Sequence, residues 1–257
     1  MEVALEVWSS DYEQVASTCR RAEELGLAGF YYGESPHDLN LDCWTTLAAL
    51  AASTERIRLG PVIANVLPTY RSHLLLAKQA ATAATVSHGR VDFRTGAGAS
   101  SVFGRRWWEP FGVTYPDYER RLADLASALE VLPLLWAGQP GPRTGGAVAQ
   151  VSTRIPITVA ATGDRALRLA AASADVWETS FCTPADFAER NAKFSAMADD
   201  RPVARSLEID GFVAADDRGL RHLLDRVHSE RGAAEDLEPV FERALLGTPN
   251  AVAARLE

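Results

Sequence analysis

Positive charge is in short supply in this chain: 26 Lys and Arg stand against 34 Asp and Glu, a formal net charge of −8 over 257 residues. That balance argues against a nucleic-acid backbone or an anionic membrane surface as partner. Long apolar runs are missing too; none approaches the ~20 residues that a membrane span needs. Cysteine is scarce, and Cys19, Cys43 and Cys182 are odd in number and scattered. They suit reduced, mostly buried thiols of a cytoplasmic protein, not a disulfide framework or a metal site. Met1 leads straight into a strand-like segment with no basic and apolar leader ahead of it. A Walker loop, a Ser-His-Asp order, a Cys/His zinc pattern, internal repeats and low-complexity stretches are all absent. Apolar residues make up 47%, enough for one sizeable core, and no stretch reads as a linker between domains.

What is present is an alternation of strand and helix, organised around residues 54–98. Arg56 to Asn65 is apolar and β-branched, interrupted by Gly60-Pro61. Leu75, Leu76, Gln79, Ala80, Ala83 and Val86 recur at helical spacing, and Ser87-His88-Gly89 stops that helix. From Arg90 the residues alternate, with Val91, Phe93 and Thr95 on one face and Asp92 and Arg94 on the other. The strand opens into Gly96-Ala97-Gly98, where backbone can approach a ligand closely. Similar signals predict strands at 3–8, 29–33, 155–161, 175–181 and 207–215, and helices at 12–25, 41–53, 118–136, 184–197 and 218–231. Residues 99–116 read as a long loop able to cover a pocket. Thr248 and Pro249 open a last helix. The sum is an α/β fold, a TIM-like (β/α) barrel with seven strands visible in sequence and the eighth missing at the C-terminus. An open barrel leaves unpaired edges. Cover is therefore expected from residues 232–246, from the neighbours of the first strand or from a partner chain.

The order of these residues resembles the bacterial-luciferase-like family of flavin- or F420-dependent oxidoreductases, the luciferase-like monooxygenases. The matches are T-E-R-I-x-L-G at 54–60, Pro68, A-x-Q-A-A-T at 77–82, S-x-G-R at 87–90, G-x-G at 96–98, the Leu-Trp that ends the long helix at 135–136, and G-T-P-x-x-V-A-x-R-L at 247–256. The resemblance implies a single luciferase-like β/α barrel domain over 1–257. It implies an oxidoreductase, read here as a monooxygenase using reduced FMN and O₂ on a small organic substrate. An F420-dependent hydride-transfer enzyme is the alternative, and a flavin-binding protein without turnover the second. A separate flavin reductase and a homodimer are the partners expected.

Several places offer the chemistry. Ala161, Thr162, Gly163, Asp164 and Arg165 follow the fifth predicted strand. Main-chain N–H groups at a helix start can take an anion, and Thr162 or Asp164 can equally serve as a plain N-cap. The resemblance implies the cofactor phosphate at this turn. Ala64, Asn65, Gly96, Ala97 and Gly98 lie on adjacent strand ends where a flat ring could rest against the backbone. The resemblance implies a bulge at Ala64-Asn65, or beside it, that presses on the ring. Glu34 and His37 close the second strand, and a His titrating near neutral pH can act as acid or base. The resemblance implies a catalytic Glu-His pair; here Ser35 follows Glu34, and His37 is the nearest imidazole. Arg94 points into the lumen, either pairing with Glu34, Glu178 or Asp210 or clamping a substrate carboxylate. Glu6 suits the lumen or water alike. Tyr70, Trp107, Trp108 and Phe111 suit an aromatic wall for a flat substrate or the anchoring of a loop. Arg71, Arg105 and Arg106 would suit the acidic tail of F420. No metal site is expected.

Overall fold

The computed structural model describes residues 1–35, 41–140, 151–231 and 237–256. It divides into two compact units, Met1–Trp177 with Arg201–Ala204, and Glu178–Asp200 with Arg205–Glu257.

The first unit alternates parallel strands with helices: β1 (Ala4–Val7), α1 (Tyr12–Glu24), β2 (Gly29–Gly33), α2 (Cys43–Ala52), β3 (Arg58–Val62), α3 (His73–Val86), β4 (Phe93–Gly96), α4 (Ser101–Trp108), α5 (Tyr118–Trp136), β5 (Ile157–Ala160) and α6 (Asp164–Ser173). Helices α1, α2, α3 and α5 each start on a side-chain oxygen, from Asp11, Asp42, Ser72 and Asp117, that accepts from an N–H of the first turn. Strands β1, β2 and β3 pair in parallel, with Gly33 opposite Val62. Strands β4 and β5 pair with Gly96 opposite Ala160, and parallel bridges Leu59–Val91 and Ala64–Thr95 join β3 to β4. This register brings Gly33, Val62, Ala64, Gly96 and Ala160 to the carboxyl ends of neighbouring strands, the catalytic face of a β/α barrel. Beneath them, Phe93 lies 6.1 Å from the Trp44 ring and 5.2 Å from that of Trp136, whose Nε1 donates to the Ala77 carbonyl.

The second unit holds the end of β6 (Val176–Ser180), α7 (Pro184–Ala198), most of β7 (Ala204–Glu208), β8 (Gly211–Val213), α8 (Asp217–Arg231), α9 (Glu238–Arg243), β9 (Leu245–Gly247) and α10 (Pro249–Leu256). Thr183 and Asp186 form a reciprocal capping box at α7. The Glu178 carboxylate accepts from Ser206 Oγ at 2.8 Å.

Three elements differ from the sequence reading. Residues 99–116, expected as a loop, contain α4 and a 3₁₀ turn, Glu109–Phe111, that stops at Gly112 with φ +74°. The run 207–215 is broken into β7 and β8. Strand β9 pairs in parallel with β8; at three residues it is too short for alternation to show. Among the described residues no helix is long and apolar enough to cross a membrane.

Cys19 is fully buried on α1. Burial, aided by the charge of Glu23, pushes its thiol up from 9.0 to about 12. The unfolded chain loses that proton first, so the contribution is whole below pH ~9 and is lost as pH rises towards ~12. By pH 10 the loss amounts to roughly 1 kcal/mol. The expected result is a shallower loss of stability between pH 8 and 10 for Cys19→Ala than for the natural chain, measured by urea unfolding.

Candidate functional site

The rim begins where β3 gives way to its loop. The Val62–Ile63 peptide is cis, two bonds ahead of the Ala64-Asn65 position expected for the bulge. Ala64 is fully buried; its N–H donates to the Arg94 carbonyl at 2.7 Å, and its carbonyl accepts from Thr95 Oγ1 at 2.9 Å. At Gly96 any side chain would crowd the Ala160 carbonyl, 2.9 Å from where a Cβ would lie. Gly98 has φ +77°, and a Cβ there would fall 2.5 Å from the Tyr115 hydroxyl, so this turn requires glycine.

Arg121 of α5 holds the glycine turn from behind. It is 3% exposed, and its guanidinium donates to the carbonyls of Ala97, Ala99 and Pro116 at 2.9, 2.9 and 2.6 Å, while lying 4.6 Å from the Tyr115 ring centroid. The sequence reading missed it. The available signal was a charged residue on the apolar stripe of α5, three positions after Tyr118 and one before Leu122.

Beyond β5, α6 starts at Gly163 (φ −83°, ψ 150°) with no side chain capping it. Gly163, not Thr162 or Asp164, therefore occupies the N-cap position. Thr162, Gly163, Asp164 and Arg165 are exposed, whereas Ala161 is buried and accepts from Trp177 Nε1. Arg165 forms an ion pair with Glu119 of α5, so the main-chain amides, not this cation, are what the turn offers an anion.

Glu34 is 8% exposed. Its Oε2 accepts from the Asn65 N–H at 2.6 Å and from Arg71 at 2.5 Å, and Arg71 also donates to the Asn65 carbonyl at 3.2 Å. Both peptide groups flanking Asn65 are thus gripped by one buried ion pair. Glu34 Oε1 and Arg71 Nε are buried with no hydrogen-bond partner among the described residues. This corrects the expectation of Arg71 as a mouth cation for an acidic tail; it is buried. His37 lies outside the described residues.

Arg94 is 3% exposed, as the lumen position implied by the resemblance requires. Glu6 of β1 is a carboxylate partner, at 2.7 Å, and the guanidinium stacks 4.0 Å from the Tyr31 ring centroid. Glu34, one of the partners expected, is held by Arg71 instead. Burial and the nearby Asp92 carboxylate raise the Tyr31 phenol well above its ordinary value, which leaves it a proton donor to Asp92 at 3.0 Å. Trp108 is buried with Leu67 and Tyr115, and Tyr70 meets it edge-on at 4.9 Å. Trp107 packs on the same cluster and lies 5.7 Å from Phe103. These aromatics anchor α4 to the segment after β3. Among the described residues no group of His, Cys, Asp and Glu could hold a metal ion.

A parallel α/β frame with a small-residue rim at its strand ends and a helix that starts at a glycine beyond β5 has the architecture of the β/α-barrel class. The comparisons narrow it. The model of the luciferase-like monooxygenase family matches residues 5–224, and this chain belongs to that family. Among curated relatives, the F420-dependent glucose-6-phosphate dehydrogenase of Beutenbergia cavernae is 35% identical over 133 residues, which cover 48% of this chain and only 38% of that protein. Among solved structures, the coenzyme F420-dependent tetrahydromethanopterin reductase of Methanopyrus kandleri matches with a TM-score of 0.79 at 18% identity, over 99% of this chain and 88% of the other. The oxygenating constituent of 3,6-diketocamphane monooxygenase of Pseudomonas putida, in complex with FMN, matches with a TM-score of 0.76 at 15% identity, over 99% and 86%. At such identities the likeness shows the fold, a TIM-like (β/α) barrel, and the neighbours divide between F420 and FMN.

Proposed function

We propose that this chain is a flavin-dependent monooxygenase that uses reduced FMN and O₂ on a small organic substrate. The observation that carries the reading is the uncapped start of α6 at Gly163, one strand beyond the glycine rim. Main-chain N–H groups of the first turn and the helix dipole converge there and suit a phosphate. Ala161, Thr162, Gly163, Asp164 and Arg165 would surround that phosphate. Ala64, Asn65, Gly96, Ala97 and Gly98 would bear on the ring. FMN, when bound and reduced, supplies the electrons for oxygen chemistry.

The chain's own residues hold the ring, exclude water and place the substrate. Glu34 acts through Asn65, fixing the rim with Arg71 behind it. His37 is the acid or base of this proposal, and Arg94, with Tyr70, Trp107 and Trp108, stands on the substrate side. A separate reductase would provide the reduced flavin, and a cytoplasmic homodimer fits the reading.

F420-dependent hydride transfer is the second reading, favoured by the identity to the Beutenbergia enzyme. The burial of Arg71 against Glu34 weighs against it, since it removes one of three cations available to an acidic tail. Separate titrations with FMN and F420, read by absorbance, test the choice, with O₂ consumption followed after adding a flavin reductase. FMN binding with reductase-dependent O₂ uptake is the expected result; binding of F420 alone would reverse the assignment.

A further inference from the structure

Trp8 follows β1 directly and is 47% exposed. Its indole lies flat against Gly33 at the end of β2: a Cβ there would fall 2.1 Å from Trp8 Cε3 and 2.3 Å from Cδ2. Any other residue at position 33 would lift the ring away. The chain is pinned immediately after it. The Tyr32 hydroxyl donates to the Ser9 carbonyl at 2.5 Å, and Ser9 Oγ accepts from the Asp11 N–H at 3.1 Å. One face of the indole is therefore fixed on backbone while half of its surface meets solvent.

Its place on the rim gives that surface a use. Gly33 is in register with Val62, and the chain passes through the cis peptide to Ala64, which bridges to Thr95 beside Gly96. Neighbouring strands lie about 4.8 Å apart. The indole thus stands on the β1–β2 side of the slot formed by the ends of β3 and β4, opposite the phosphate turn after β5. A molecule that must meet a ring resting in that slot has this tryptophan as its other boundary. An exposed, immobilised indole offers a π-face at small entropic cost, and its edge N–H is a hydrogen-bond donor.

We infer that Trp8 is a specificity-determining residue, a stacking platform for a planar aromatic portion of the substrate that carries an acceptor on its edge. The inference rests on the cofactor slot proposed above and deepens it by naming the substrate class. Aliphatic chains gain contact area on an indole but no stacking preference, so they should be indifferent to the loss of the ring.

The test uses coumarin as the planar probe and decan-1-ol as the aliphatic one, titrated calorimetrically into the FMN-loaded natural chain, Trp8→Phe and Trp8→Ala. Coumarin should bind the natural chain, bind Trp8→Ala about tenfold more weakly, and bind Trp8→Phe within about threefold of the natural chain because the stack survives. Decan-1-ol should not distinguish the three. Equal coumarin affinity in Trp8→Ala, equal loss of both probes, or no coumarin binding by the natural chain overturns the platform. An absorbance titration with FMN on the same proteins separates the two proposals. Failure of the natural chain to take up FMN sinks the cofactor reading, whereas FMN uptake without discrimination by Trp8 sinks the platform alone.

Discussion

Replacing Gly163 by Asp is expected to weaken FMN binding by about a hundredfold while leaving the protein as stable as before, or slightly more so. Gly163 already has the extended backbone of an N-cap, and a Cβ would meet only the Tyr118 hydroxyl at 3.6 Å, an ordinary contact. The aspartate can therefore fold over the first turn and accept from an amide of α6, where Asp exceeds Gly as a cap by a few tenths of a kcal/mol. That carboxylate takes an N–H that a phosphate would use, and each charge-assisted bond is worth roughly 1.5–3 kcal/mol. It also places a second negative charge beside the phosphate, a repulsion of about 1–4 kcal/mol at 4 Å depending on exposure. Riboflavin has the same ring and no phosphate, so its affinity should change by less than about twofold. Absorbance titrations with FMN and riboflavin, beside thermal melts, decide the matter. Equal FMN affinity in the two proteins would mean that the turn after β5 holds no phosphate.

Arg71→Met should destabilise the first unit by about 3–5 kcal/mol, because it strands the Glu34 carboxylate in a site that excludes water. Both side chains are almost fully buried, at 5% and 3% exposure. No exposed pair would give a loss of this size. The double variant Glu34→Gln with Arg71→Met should recover much of the loss, since a neutral amide needs no counter-charge and can still accept from the Asn65 N–H. Urea unfolding of the single and double variants measures the coupling directly. A loss below about 1 kcal/mol for Arg71→Met would mean that Glu34 reaches solvent or a proton and is free for acid–base work.

Much of the frame was legible in the residues. The bounds of β2 and α5 follow from local signals: Gly26 and Gly33 bracket a β-rich run, and Asp117 caps a helix whose apolar stripe extends to Trp136. α4 was not legible, because its Gly104 and its flanking Pro110 and Gly112 carry the composition of a loop. Gly104 is there because the Tyr115 ring lies against it, 2.0 Å from where a Cβ would be. The resemblance put Arg94 in the lumen and the residues left Glu6 open between lumen and water; their meeting depends on strand stagger, which no single strand encodes. In the same way the sequence displayed Glu34 as an acid at a strand end. Only the folded chain brings Arg71, 37 residues later, back onto it. The Thr162-Gly163-Asp164 turn was visible as a motif, and which of its residues takes the N-cap position is a property of geometry.

One guanidinium, that of Arg121, ties the rim carbonyls of Ala97 and Ala99, and that of Pro116 just ahead of α5, to the first turn of that helix. Loop and helix are therefore one mechanical part. A tilt of α5, from repacking Leu125, Leu129 or Leu132 along its buried face, would be delivered to Ala97 and Gly98 as a change in the width of the slot. Whoever wishes to admit a larger guest here can begin two or three helical turns away, in the packing beneath the helix, and leave the glycines untouched.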